Sequence, residues 1–262
     1  MAEVVIVDTP RHGGEIVANH IAERAATSPD MVLGLATGSS PLPVYDALRV
    51  HRSALGAIRG AALDEYVGLP RAHPERYRAV IEREVIEPLG LDPTRVHVPS
   101  DDCDHADTDA LAVAGERFEN TLRKLGGVDV QLLGIGATGH IGFNEPGSSF
   151  ASRTRVKTLT EQTRRDNARF FASPDEVPVH CITQGLGTIL EARHLVLLAF
   201  GQHKAQALAA AIEGPVTASV PGSAVQLHPH CTVVADEAAA SQLQFADYYR
   251  YAWSNKPGWQ GL

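Results

Sequence analysis

Cysteine is scarce in this chain of 262 residues: Cys103, Cys181 and Cys231 are far apart, odd in number and outside any CxxC spacing. That argues against a disulfide framework or a zinc knuckle and leaves buried thiols. Long apolar runs are also missing. No segment approaches the ~18 uninterrupted apolar residues of a membrane span, and Val4-Val5-Ile6-Val7 is too short, and lacks the basic flank, for a signal peptide. A cytoplasmic protein is expected. Positive charge is in deficit, with 23 Lys and Arg against 31 Asp and Glu and a formal net charge of −8. A nonspecific nucleic-acid binder or a partner of anionic membranes would carry the opposite balance. An anionic substrate would therefore need a local basic pocket. No internal repeat and no long Pro/Gly/Ser linker divides the chain, so the simplest expectation is one α/β domain over residues 1–262.

Short apolar runs alternate with longer amphipathic ones. Residues 4–7, 31–36, 61–63, 128–135, 195–200 and 232–235 read as strands. Helical spacing covers 14–26, 41–50, 76–87, 110–125, 160–171, 204–212 and 237–251. Such alternation predicts an α/β fold with a mainly parallel sheet covered by helices on both faces. The acidic stretch 101–109 reads as a solvated surface loop, and 255–262 as an irregular tail pinned by Trp253 and Trp259.

Three stretches concentrate chemistry. After the strand 31–36 comes Thr37-Gly38-Ser39-Ser40-Pro41, whose small residues, hydroxyls and backbone amides suit a phosphate, although an ordinary helix cap reads the same way. The turn lacks the lysine of a Walker A loop and the spacing of GxGxxG, so no nucleotide is implied. Asp64 and Glu65 follow another strand; adjacent carboxylates there serve either as a general base with a raised pKa or as a cap and a salt bridge. The apolar run 128–135 stops in the glycines of Gly136-Ala137-Thr138-Gly139-His140 and continues to Glu145, delivering an imidazole and a carboxylate where open α/β sheets bind ligands. His228 and His230 lack a third ligand at recognisable spacing and read as a structural turn.

Together these stretches resemble glucosamine-6-phosphate deaminase, and the likeness runs in order over nearly the whole chain. It is carried by Ala36-Thr37-Gly38-Ser39-Ser40-Pro41, by Leu63-Asp64-Glu65-Tyr66-Val67-Gly68-Leu69-Pro70, by Gly139-His140-Ile141-Gly142-Phe143-Asn144-Glu145-Pro146 and by Ala151-Ser152-Arg153-Thr154-Arg155-Val156-Lys157-Thr158-Leu159-Thr160. It continues through Gly185-Leu186-Gly187-Thr188-Ile189 and Gln226-Leu227-His228-Pro229. The resemblance implies a Rossmann-like, open, mainly parallel sheet like that of ribose-5-phosphate isomerase and 6-phosphogluconolactonase, and conversion of glucosamine 6-phosphate to fructose 6-phosphate and ammonia. No metal or organic cofactor is implied. By position, the base between C2 and C1 falls on Asp64, the ring-opening histidine on His140 and its supporting glutamate on Glu145. Substrate contacts fall on Thr37, Gly38, Ser39, Ser40, Glu65, Gly136, Ala137, Gly139, Arg169 and Lys204. A dianionic phosphate in a net-acidic protein needs such fixed cations. In allosteric relatives the activator N-acetylglucosamine 6-phosphate is held by residues mapping to Ser148, Ser149, Arg155 and Lys157; a charge-guarded edge strand would look the same. Relatives work as hexamers or as monomers, so both a homo-oligomer and a single chain fit. The polar segment 167–177 is a candidate lid.

Two positions depart from the family pattern. Thr138 stands where an aspartate is usual, two residues before the loop histidine, and Arg76 where a serine is usual. A threonine orients an imidazole through one hydrogen bond and adds no charge, so slower or rerouted ring opening is expected. Three readings follow: a deaminase in which Glu145 and water cover the missing carboxylate, a diverged enzyme acting on another aminosugar phosphate without releasing ammonia, and a noncatalytic sugar-phosphate sensor.

Overall fold

A computed structural model describes residues 2–262. Ten strands form: β1 (Glu3–Val7), β2 (Val32–Leu35), β3 (Arg59–Ala62), β4 (Asp64–Val67), β5 (Val96–His97), β6 (Val130–Gly134), β7 (Arg155–Thr158), β8 (His180–Thr183), β9 (His194–Ala199) and β10 (Cys231–Asp236). The α-helices are α1 (Pro10–Thr27), α2 (Leu42–Leu48), α3 (Arg52–Leu55), α4 (Tyr77–Ile81), α5 (Glu87–Leu89), α6 (Thr108–Leu125), α7 (Glu161–Asn167), α8 (Leu186–Ile189), α9 (Ala205–Ile212) and α10 (Ala246–Ser254).

Seven strands build one parallel sheet in the order β1-β10-β9-β6-β2-β3-β5. Every residue of β2, β9 and β10 is buried, as expected of parallel strands covered on both faces. From β2 the chain winds outward through β3 to β5; from β6 it winds the other way through β9 to β10. The order therefore reverses between β2 and β6, where ligand crevices of such sheets open. The ladder itself splays there. Pairing of β2 with β6 stops at Gly34↔Gln131, while β2 stays paired with β3 to Leu35↔Ala62 and β6 with β9 to Gly134↔Leu198. Gln131 is packed against Gly34 so closely that a Cβ there would lie 2.2 Å from its Oε1.

A smaller antiparallel sheet, β4-β8-β7, adjoins the crevice. One residue separates β3 from β4, and Leu63 bridges the sheets: its N–H donates to Leu35 O at 3.0 Å and its carbonyl accepts from Gln184 N at 2.8 Å. Asp64 is thus the first residue beyond the seam. Tyr66, Phe143, Leu159, Val177 and Cys181 make a separate apolar cluster beneath this sheet.

The expected strands and helices are present, with four corrections. The small sheet was not anticipated, apart from β7 as an edge strand. The helix expected over 76–87 runs through a π-type turn, Glu82–Ile86. The helix expected over 237–251 is interrupted, because Glu213 accepts the Gln244 and Phe245 N–H groups at 2.7 and 3.0 Å and only Ala246–Ser254 is α-helical. In the tail, Trp253 packs on the core and Lys256 pairs with Glu3 at 2.6 Å, but Trp259 is 82% exposed and pins nothing.

Among the described residues no helix is long and apolar enough to cross a membrane. The acidic stretch 101–109 is docked rather than free: Gly68 N donates to His105 Nδ1 at 3.2 Å, and Asp101 lies 3.5 Å from Arg76.

Candidate active site

A cavity of about 340 Å³ opens at the carboxyl ends of β2, β3 and β6. It brings together Thr37, Gly38, Ser39 and Ser40 from the loop after β2, Asp64 at the seam, Gly136 and His140 after β6, Arg169 after α7, and Lys204 after β9. Residues from five separated stretches thus share one space.

The hydroxyl loop is held at its root by Tyr45, whose OH donates to Ala36 O at 2.8 Å and accepts from Ala36 N at 3.1 Å. Gly38, with φ +88°, then takes a turn that other residues adopt only under strain. Opposite it, Lys204 follows Gly201, whose φ of +89° and N–H, 3.0 Å from both oxygens of the buried Asp236, fix the β9 loop. Burial, followed by the nearby Arg169 cation, pulls the Lys204 pKa down. Arg169, Lys204 and the hydroxyls of the β2 loop thus line one cavity, a donor set with the chemistry to take an anion.

Asp64 is 6% exposed. Burial, reinforced by the Glu65 charge, pushes its carboxyl up to about 8. A buried acid of that kind holds its proton or gives it up near neutral pH, which is what a proton shuttle requires.

Glu65 was expected among the substrate contacts and does not join them. Neighbouring residues of a strand face opposite sides, and Glu65 is fully buried away from the cavity. Its Oε1 accepts the N–H groups of Tyr66 (2.7 Å) and Tyr77 (2.8 Å), and its Oε2 that of Arg78 (3.0 Å). It anchors the start of α4.

The imidazole of His140 lies flat against Gly136, where a Cβ would come within 2.1 Å of the ring. Burial lowers its pKa, and the Glu145 charge opposes that shift. Thr138 Oγ1 is 2.9 Å from His140 Nδ1, so the replacement hydroxyl makes the single hydrogen bond expected of it. Glu145 Oε2 stands 3.6 Å from the same nitrogen, buried and without a hydrogen-bond partner. Its other oxygen accepts from Thr160 Oγ1 at 3.1 Å and from Thr163 Oγ1. Those threonines form the first turn of α7, whose far end presents Asn167 and, one short turn later, Arg169 to the cavity. Ala137 and Gly139 shape the loop without lining the cavity; Gly139 O accepts from Gly222 N at 2.7 Å.

The four residues of the expected activator site lie apart from the cavity. Arg155 Nη1 donates to the buried Asn144 Oδ1 at 3.0 Å and its Nη2 to Ser148 Oγ at 3.4 Å. Lys157 shares the partly buried side of β7 with Arg155, while Ser149 is exposed.

Sequence reasoning missed Tyr66, Tyr77 and Phe143, which also line the cavity, while Asn167 and Phe171 line it from the segment expected as a lid. Tyr66 sits 4.8 to 5.7 Å, centroid to centroid, from the rings of Tyr77, Phe143 and Phe171. Among them, Tyr66 and Phe143 sit inside the quoted motifs and could have been named from that alone.

Residues 9–234 match the family profile described as glucosamine-6-phosphate isomerases/6-phosphogluconolactonase. The chain is 56% identical over 270 residues to glucosamine-6-phosphate deaminase of Bifidobacterium longum, covering all of both chains. It is 58% identical over 265 residues to the Streptomyces coelicolor enzyme of that name, covering 99% of this chain and 100% of the other. A solved monomeric glucosamine-6-phosphate deaminase superposes with a TM-score of 0.86 at 39% identity, over 92% of this chain and 100% of that one. A 6-phosphogluconolactonase from Trypanosoma cruzi shares the fold, with a TM-score of 0.73 at 20% identity over 93% and 97%. The switch-point cavity, its contents and these likenesses agree: the chain belongs to the glucosamine-6-phosphate isomerase/6-phosphogluconolactonase family, alongside its glucosamine-6-phosphate deaminases.

Proposed function

We propose that the protein converts glucosamine 6-phosphate and water to fructose 6-phosphate and ammonia. The observation that carries this is the buried Asp64, facing the same cavity as two cations and a hydroxyl loop. The phosphate lodges on Thr37, Gly38, Ser39 and Ser40, with Arg169 and Lys204 as counter-charges. That leaves the reacting carbons toward Asp64 and His140.

His140 opens the pyranose: it takes the proton of the anomeric hydroxyl and gives one to the ring oxygen as the C1–O5 bond breaks. Thr138 holds its ring, and Glu145 supports the imidazolium that forms on proton uptake. Ionised Asp64 takes the C2 proton of the open-chain aldehyde while the 2-ammonium group gives one of its protons to O1, leaving a neutral enolamine. The same carboxyl returns a proton to C1 and yields the ketimine of fructose 6-phosphate. Water adds to the C=N carbon, and that bond breaks to release ammonia and the ketone. No step changes the oxidation level of the substrate as a whole.

The segment 167–177 closes as a lid over the phosphate end, with Phe171 seated against Tyr66. Ser148, Ser149, Arg155 and Lys157 form the place for an N-acetylglucosamine 6-phosphate activator. Its support is the hydrogen bond from Arg155 to Asn144, which adjoins Glu145.

The test is a coupled assay for ammonia and fructose 6-phosphate on the native chain, with 6-phosphogluconolactone in parallel. Both products should appear in equal amounts, with no lactone hydrolysis. Product without ammonia would favour a diverged enzyme, and binding without turnover a sensor; either result overturns the assignment.

A further inference from the structure

Asp64 is not the only buried charge of its loop. Glu65 is 0% exposed and Arg76 3%. Arg76 Nε lies 3.7 Å from Glu65 Oε2 and has no hydrogen-bond partner. Its Nη2 lies 3.5 Å from Asp101, which in turn is 3.8 Å from Arg78. The guanidinium is therefore wedged between two carboxylates. Since three backbone N–H groups already occupy Glu65, Arg76 serves it by charge rather than by a hydrogen bond. The serine usual in the family at this position would bring no charge.

The charged and titratable groups around Asp64 are few. Glu65 and Tyr66 share its strand, Tyr77 approaches from α4 and Cys181 from β8, while His140, Arg169 and Lys204 line the same cavity. Burial keeps the two phenols and the thiol protonated, and draws the His140 pKa downward. Arg169 and Lys204 are engaged by the phosphate. Glu75, Arg83 and Glu84 also line the cavity; the anion whose charge bears on Asp64 is Glu65, and Arg76 is the cation that faces that anion.

We propose that Arg76 is a positioning residue for the proton-transfer step: its buried guanidinium offsets the Glu65 charge beside Asp64 and so keeps Asp64 able to ionise in the working pH range. This rests on Asp64 being the base. An opposite charge within about 4–6 Å favours the ionised form of a carboxylate by about one pH unit or more; Arg76 stands at that range from Glu65, the strand neighbour of Asp64. Without Arg76, two buried anions would stand side by side. Burial raises the Glu65 carboxyl against the pull of three amides and Arg76, so without Arg76 the pair of Asp64 and Glu65 would hold one proton to higher pH.

The experiment is the pH dependence of kcat/KM for four variants beside the native chain, Arg76→Met, Arg76→Lys, Glu65→Gln and Glu65→Gln/Arg76→Met. The native limb that rises with pH reports Asp64, and substrate ionisation is common to all five profiles. Arg76→Met should move that limb upward by about one unit or more, with roughly tenfold less activity at neutral pH that returns at higher pH. Arg76→Lys should keep the native limb. The Glu65→Gln background leaves no charge unpaired when Arg76 is removed, so it decides the matter even if Arg76→Met fails to fold. There, adding Arg76→Met should again raise the limb, to near the native position. Equal loss at every pH, a limb unmoved between Glu65→Gln and the double variant, or Arg76→Lys behaving like Arg76→Met would show a merely structural role and overturn the proposal. Turnover persisting in Asp64→Asn would instead remove the base assignment, a distinct failure.

Discussion

Replacing Asp64 by Asn should abolish turnover and, at the same time, stabilise the protein. The side chain is buried, makes no hydrogen bond that holds its charge, and is pushed from the ordinary 3.8 up to about 8. Folding therefore withholds from this carboxyl an ionisation that the unfolded chain enjoys. The folded value lies above the unfolded one, so no stability is lost below about pH 4; the loss accumulates as the pH rises and is complete above about pH 8. At about 1.4 kcal/mol for each pH unit, the ceiling at pH 7 is roughly 4 kcal/mol, which an uncharged isostere would recover. Urea melts of the native and variant chains at pH 4, 7 and 9, with ammonia release measured on the same samples, give both quantities. The variant should match the native chain at pH 4, exceed it by up to about 4 kcal/mol at pH 7, and release no ammonia. A variant less stable at pH 9, or a difference independent of pH, would refute the electrostatic account. Retained turnover would refute the chemical one.

Three further outcomes follow from the same coordinates. Thr138→Val leaves His140 Nδ1 without its 2.9 Å partner and should lower kcat about tenfold or more with little change in KM, whereas Thr138→Asp should raise the His140 pKa and speed ring opening at neutral pH, read from steady-state ammonia release. Gly136→Ala places a methyl within about 2.1 Å of the imidazole, so the ring must leave its seat, and kcat should fall while phosphate inhibition constants stay near native. At the opposite edge of the sheet, burial holds His20 at about 4 and His194 at about 3, below their usual 6.5. Stability should be full above about pH 6.5 and drain away as acid titrates the unfolded chain toward pH 4, a slope that His20→Gln should flatten in denaturant melts across pH 4 to 8.

The parallel sheet was legible because β2, β9 and β10 are covered on both sides and read as unbroken apolar runs. The small antiparallel sheet was not: β4 is Asp-Glu-Tyr-Val, whose polar residues are buried for reasons other than hydrophobicity. Reading Asp64 and Glu65 as following a strand rather than opening one left the two carboxylates undistinguished. In a strand they part, Asp64 toward the cavity and Glu65 toward the helix it anchors. The hydroxyl turn and His140 were readable from residue types and order, since each follows a parallel strand that ends at the same edge, whereas Arg169 and Lys204 came from the family resemblance alone. The docking of 101–109 and the break before α10 depend on partners some thirty or more residues away, His105 with Gly68 and Glu213 with Gln244, which no local pattern records.

Helix α7 reaches two places at once. Its opening turn grips the Glu145 carboxylate through Thr160 and Thr163, and its last residue and the turn beyond it carry Asn167 and Arg169. Seven residues of helix span about 10 Å, too short to bend appreciably. A tug on the guanidinium end by an arriving anion would therefore be felt, as by a rigid lever, at the oxygen that faces the imidazole.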